Sequence, residues 1–116
     1  MFEFSCKKIS KKDLIKCAFG LNKTSYDLLV FLKKNKKALT VCQISELMCL
    51  HRTTVQKAIT HLFEKGLVKK VQHNISEGGY LFYYLLEDKV VIKAILKDVI
   101  DLWCNGVRKA IGDEMF

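Results

Sequence analysis

The chain has 116 residues, half of them apolar, with no proline and a formal net charge of +8. That length suits one compact domain and leaves no room for a multidomain enzyme, and the mixed apolar and charged composition excludes a disordered basic tail. Surplus positive charge points to a polyanionic partner. No apolar run approaches the roughly 18 residues of a membrane span, so no membrane partner and a cytoplasmic location are expected.

The periodicity is helical, then strand-like, then helical again. Ser10, with Asp13 three residues on, caps a short helix to about Phe19 that Gly20 closes. Asn22 or Thr24 caps a second, through Tyr26, Leu29, Val30 and Leu32 to Lys34. Thr40 and Gln43 form a capping box, opening a short helix with Val41, Ile44, Leu47 and Met48 turned inward. Cys49 and Leu50 make a turn. A further capping box, Thr53 with Gln56, begins a helix to Lys65 with Val55, Ala58, Ile59 and Leu62 on one side and Gly66 as its stop.

After Gly66 the spacing becomes that of a hairpin: Leu67 to His73, a polar turn over 74–79, then the aromatic run Tyr80 to Leu86. Asp88 caps a last helix of about 24 residues, spanning roughly 36 Å. Its apolar face is wider than so small a domain can cover. The expected fold class is therefore mainly α with a small β-hairpin, residues 1–87 forming one module and 88–116 a helical appendage.

The five cysteines, at 6, 17, 42, 49 and 104, contain no Cys-x-x-Cys pair and read as reduced, small core residues. His51, His61 and His73 lack a metal-binding pairing, and no nucleophile with a base, paired carboxylates or phosphate loop stands at useful spacing, so neither catalysis nor a metal or cofactor is expected. Positive charge is concentrated early, residues 1–37 holding ten Lys against three acids.

A short helix, a tight turn and a second helix with polar residues at its start form a helix-turn-helix, whose second helix fits a DNA major groove, and the hairpin would be its wing. Lys69, Lys70, His73 and Asn74 are expected to come to one side of the domain, with Gly78 and Gly79 permitting a tight tip. Arg52, Lys57, Lys69 and Lys70 suit phosphates, and Thr53 and Gln56 suit base edges. Thr54 and Thr60 complete the expected DNA-binding set with His73 and Asn74. The rings of Tyr80, Phe82, Tyr83 and Tyr84 are expected mostly in the core, not as a base-stacking platform.

The stretches Gly20-Leu21-Asn22 through Tyr26, Ile44 through Val55, and Leu62-Phe63-Glu64-Lys65-Gly66-Leu67-Val68 resemble winged helix-turn-helix regulators of the MarR and TrmB type. The likeness covers about residues 11–87. It implies a homodimeric regulator of double-stranded DNA, a repressor by analogy, joined through its terminal helices. Val91, Ile92, Ile95, Leu96, Val99, Leu102 and Trp103 are the expected dimerisation residues, and a small effector would fit an apolar pocket between wing and dimer helix. Two positions depart from the pattern: Cys49 where glycine is common, because the backbone there tends to positive φ, and His51 where a Ser or Asp cap is commoner. The competing reading is a winged helix that docks proteins and has no DNA specificity of its own.

Overall fold

Short side chains set where the helices begin. The computed structural model describes residues 2–3 and 8–115, so Cys6 lies outside the described residues. Ser10 Oγ accepts the Asp13 amide at 3.1 Å and starts α1 (Lys11–Phe19), which Gly20 ends at φ 65°. Asn22, not Thr24, caps α2 (Lys23–Lys34), its Oδ1 accepting the Ser25 amide at 2.8 Å. Thr40 and Gln43 make both bonds of the capping box that opens α3 (Val41–Met48).

The next helix starts earlier than its Thr-x-x-Gln pattern predicts. Cys49, in the left-handed region at φ 55°, closes α3, and α4 (Arg52–Glu64) begins after His51. Thr53 is already inside the first turn, so the expected box with Gln56 does not form. His51 is the N-cap and makes no side-chain capping bond. At the other end the Gly66 amide bonds to Phe63 and that of Leu67 to Leu62, the glycine taking the positive φ that stops the helix.

Strands β1 (Phe2–Glu3) and β2 (Lys8–Ile9) pair antiparallel, a small ribbon that the sequence periodicity did not predict. β3 (Val68–Asn74) and β4 (Tyr80–Leu86) form the expected antiparallel hairpin, in register from Val68 opposite Leu86 to Asn74 opposite Tyr80. Leu39 adds a two-bond bridge to Tyr84, tying the α2–α3 connection to β4. Last comes α5 (Lys89–Ala110), followed by a π-helical turn at Ile111–Met115.

The chain divides into two compact units, Asn22–Asp88 and, from both ends of the sequence, Met1–Leu21 with Lys89–Phe116. In the second, α1 packs against α5. Helix α1 thus falls in the same unit as the C-terminal helix. The core of the first unit comprises Leu28 and Leu32 of α2, Ile44 of α3, four residues of α4, and Leu67, Val68 and Tyr84 of the hairpin. Leu47, expected inside, is 63% exposed, leaving α3 only a narrow buried strip. Of the aromatic run only Tyr84 is buried, and Tyr80 is mostly exposed, because a two-stranded ribbon has one face to bury and its tip projects past the helices.

Candidate nucleic-acid interface

Helix α4 is anchored by Val55, Ala58, Ile59 and Leu62, all buried, at the spacing that places them on one face. The opposite face presents Arg52, Thr53, Gln56, Lys57 and Thr60, all exposed, and carries no acid before Glu64 at the helix end. This is a rigid rod with cations and neutral hydrogen-bonding groups outward. Within it Gln56 Nε2 donates to Thr60 Oγ1 at 3.3 Å, and that hydroxyl donates to the Gln56 carbonyl at 2.8 Å.

Thr54 is half-buried on the flank facing α2, where it joins Lys57, Ala58 and His61 in lining a polar cleft of about 180 Å³ with Asn22, Thr24 and Ser25. His61 is half-buried on this flank. Its Nδ1 lies 3.3 Å from the buried Ser25 hydroxyl, a tie between α2 and α4.

The hairpin divides the expected wing cluster. Successive strand residues point to opposite faces, so Lys70 and Asn74 lie on the face with Phe82 and Tyr84, while Lys69 and His73 lie on the other with Tyr83. The four do not share one side. Lys70 Nζ sits 4.1 Å from the centroid of Phe82 and 5.7 Å from that of Phe63, contacts that sequence spacing alone gave no signal for. His73 meets Tyr83 edge-on at 5.8 Å. Lys69 lies at the hairpin base, 3.4 Å from Asp88 and 3.5 Å from Glu87. The hydrogen bond and charge of Asp88, reinforced by Glu87, hold its pKa above the usual lysine value. At the tip, Gly78 (φ 96°) and Gly79 (φ 87°) take a backbone that side chains rarely adopt, closed by the Ile75 amide bonding to Gly79.

Among the described residues the cysteines are not fully buried core residues. Cys17, Cys42 and Cys49 are exposed and Cys104 is partly buried. Among the described residues no cluster of His, Cys, Asp and Glu could hold a metal, and no helix is long and apolar enough to cross a membrane. Of the α5 set, Ile92, Ile95, Leu96 and Val99 are half-buried, while Val91, Leu102 and Trp103 are exposed, Leu102 by 73% and Trp103 by 60%.

The MarR family model matches residues 21–75, from the cap of α2 through the helix-turn-helix and the first wing strand. The uncharacterized protein MJ1503 of Methanocaldococcus jannaschii is 31% identical over 111 residues, covering 96% of this chain and 83% of the relative. The chain belongs to the MarR family. A possible transcriptional regulator from Methanosarcina mazei superposes with a TM-score of 0.90 at 25% identity, covering 100% of this chain and 98% of that one. A MepR mutant from S. aureus bound to an oligodeoxyribonucleotide shares the fold, with a TM-score of 0.55 and 14% identity over 90% of this chain and 74% of that one. As a MarR-family protein the chain is a DNA-binding transcription regulator with a winged helix-turn-helix, and not an enzyme.

Proposed function

We propose that this protein is a cytoplasmic, sequence-specific repressor that binds double-stranded DNA as a homodimer. Helix α4 enters the major groove and the hairpin rests on the flanking backbone or minor groove. The observation that carries this reading is the outward face of α4, where Arg52, Thr53, Gln56, Lys57 and Thr60 stand exposed over a fully apolar anchor. Arg52 and Lys57 meet phosphates, while Gln56 and Thr53 offer an amide and a hydroxyl to base edges, glutamine being able to bond adenine N6 and N7 together. The DNA-bound MepR structure, of the same fold, supports the mode. The apolar residues left open on α5, above all Leu102 and Trp103, supply a self-complementary surface for a two-fold dimer.

Selection of bound duplexes from a random pool tests this directly. The expected product is a pseudo-palindrome with half-sites about 10 bp apart, one turn of DNA. When placed across a promoter, that sequence should lower transcription in the presence of the protein. Failure to bind any duplex at low salt, with a stoichiometric protein partner captured instead, would favour the docking-module reading.

A further inference from the structure

Adjacent lysines on β3 have opposite surroundings. Lys69 is held by two carboxylates at the hairpin base, whereas Lys70 turns to the face that meets α4 and lines a cleft of about 90 Å³ with Gln56, Ile59, Thr60, Phe63 and Tyr84. No acid lines that cleft. Lys70 Nζ stands 4.1 Å above the ring of Phe82, its diagonal neighbour on β4, and 5.7 Å from the ring of Phe63 on α4. A ring face attracts an ammonium electrostatically yet leaves its other donors open, unlike a carboxylate, which neutralises the charge.

We infer that Lys70 is the phosphate-gripping residue of the wing, and that Phe82 and Phe63 are positioning residues that hold its ammonium at the seam between hairpin and α4. The inference rests on the DNA-binding reading above and deepens it. A phosphoryl group of the DNA backbone flanking the groove occupied by α4 seats at this seam, where Lys70 supplies the free donors. Holding the lysine stem in place before binding removes part of the ordering cost that a free side chain would incur on contact. Lys69 takes no part, because its charge is already engaged.

The test uses the full chain with its selected duplex and a random-sequence duplex, titrated across a range of salt. Lys70→Met keeps the stem and removes the charge. It should weaken both duplexes alike and lower the log–log salt slope by about 0.9 per protomer, hence by about 1.8 for a bound dimer that loses one phosphate contact from each half. Lys69→Met should leave that slope unchanged. Phe82→Leu should weaken both duplexes several-fold, Phe82→Tyr should restore binding, and Phe82→Leu should have no further effect once Lys70 is Met. A purely structural role for Phe82 would persist in the Lys70→Met background, so a second loss there overturns the inference. An unchanged slope in Lys70→Met, or an equal drop in Lys69→Met, also overturns it. If the unaltered protein binds no duplex, the DNA reading and the inference fall together. The clamp itself is read separately by NMR, as upfield ring-current shifts of the Lys70 methylenes that Phe82→Leu abolishes.

Discussion

The hydroxyl of Thr60 holds Gln56 at both ends, accepting from its side-chain amide at 3.3 Å and donating to its backbone carbonyl at 2.8 Å. This fastens the Gln56 side chain, proposed above to read adenine, along the axis of α4 before any DNA arrives. Thr60→Val, which keeps the shape and removes the hydroxyl, should cost about 1 kcal/mol in binding to the preferred duplex, the worth of one hydrogen bond. Gln56→Ala should cost about 1–3 kcal/mol there and little on random DNA. Because the two act as one unit, the double variant should bind no worse than Gln56→Ala alone. Additive losses in a four-way titration would show that Thr60 reads DNA independently.

Cys49 is the only non-glycine residue with positive φ among those described, and it closes the helix before the turn. A Cβ in the left-handed region costs about 1–2 kcal/mol, partly offset because glycine loses more freedom on folding. Cys49→Gly should therefore stabilise the fold by about 0.5–1 kcal/mol, measured as a higher urea midpoint with an unchanged slope. Cys49→Ala keeps the Cβ and removes only the sulfur, so it should give no such gain. Equal midpoints for the two variants would place the effect in the thiol and not in the backbone.

The helix starts that were legible in the sequence are those in which one side chain satisfies one nearby amide. Ser10, Asn22 and Thr40 need nothing beyond their own first turn. Thr53 and Gln56 repeat the Thr40 and Gln43 pattern but do not act on it, since the turn at Cys49 and the burial of Val55, Ala58, Ile59 and Leu62 fix the start of α4 at Arg52. Within the candidate site, the outward face of α4 follows from helical spacing alone. The wing does not: that Lys69 and Lys70 meet opposite surroundings depends on the register of β3 with β4 and on which ribbon face packs inward. The Ser25 and His61 pair spans 36 residues of sequence, and no local pattern announces it.

Lys69 gives a pH signature of its own. Pairing with Asp88 and Glu87 raises its pKa above the ordinary value of an unfolded lysine, so its protonated form is favoured in the folded state. The stability this contributes is fully present below that unfolded value and is lost as the pH rises through the raised folded value. The difference in urea midpoint between the natural protein and Lys69→Met should thus be constant from neutral to mildly alkaline pH and shrink in strong alkali. Asp88→Asn should reduce the same difference, because it removes the largest cause of the shift. A difference that widened in strong alkali would contradict the pairing.

Leu102 and Trp103 lie side by side on α5, both largely exposed, although fully burying a leucine side chain is worth about 1.5–3 kcal/mol. In a two-fold interface each residue is buried twice, once from each protomer, so a single substitution is felt twice. Leu102→Ser should raise the dimer dissociation constant by on the order of a hundredfold, equivalent to about 3 kcal/mol per dimer. Since the residue is exposed within the single chain, helicity by circular dichroism should not change. Light scattering should show a monomer at concentrations where the natural protein is a dimer, and binding to a two-half-site duplex should fall toward that of a single half-site. A natural protein that is monomeric by light scattering, or a Leu102→Ser variant that dimerises as tightly as before, would remove α5 from the interface and with it the symmetric placement of two α4 helices.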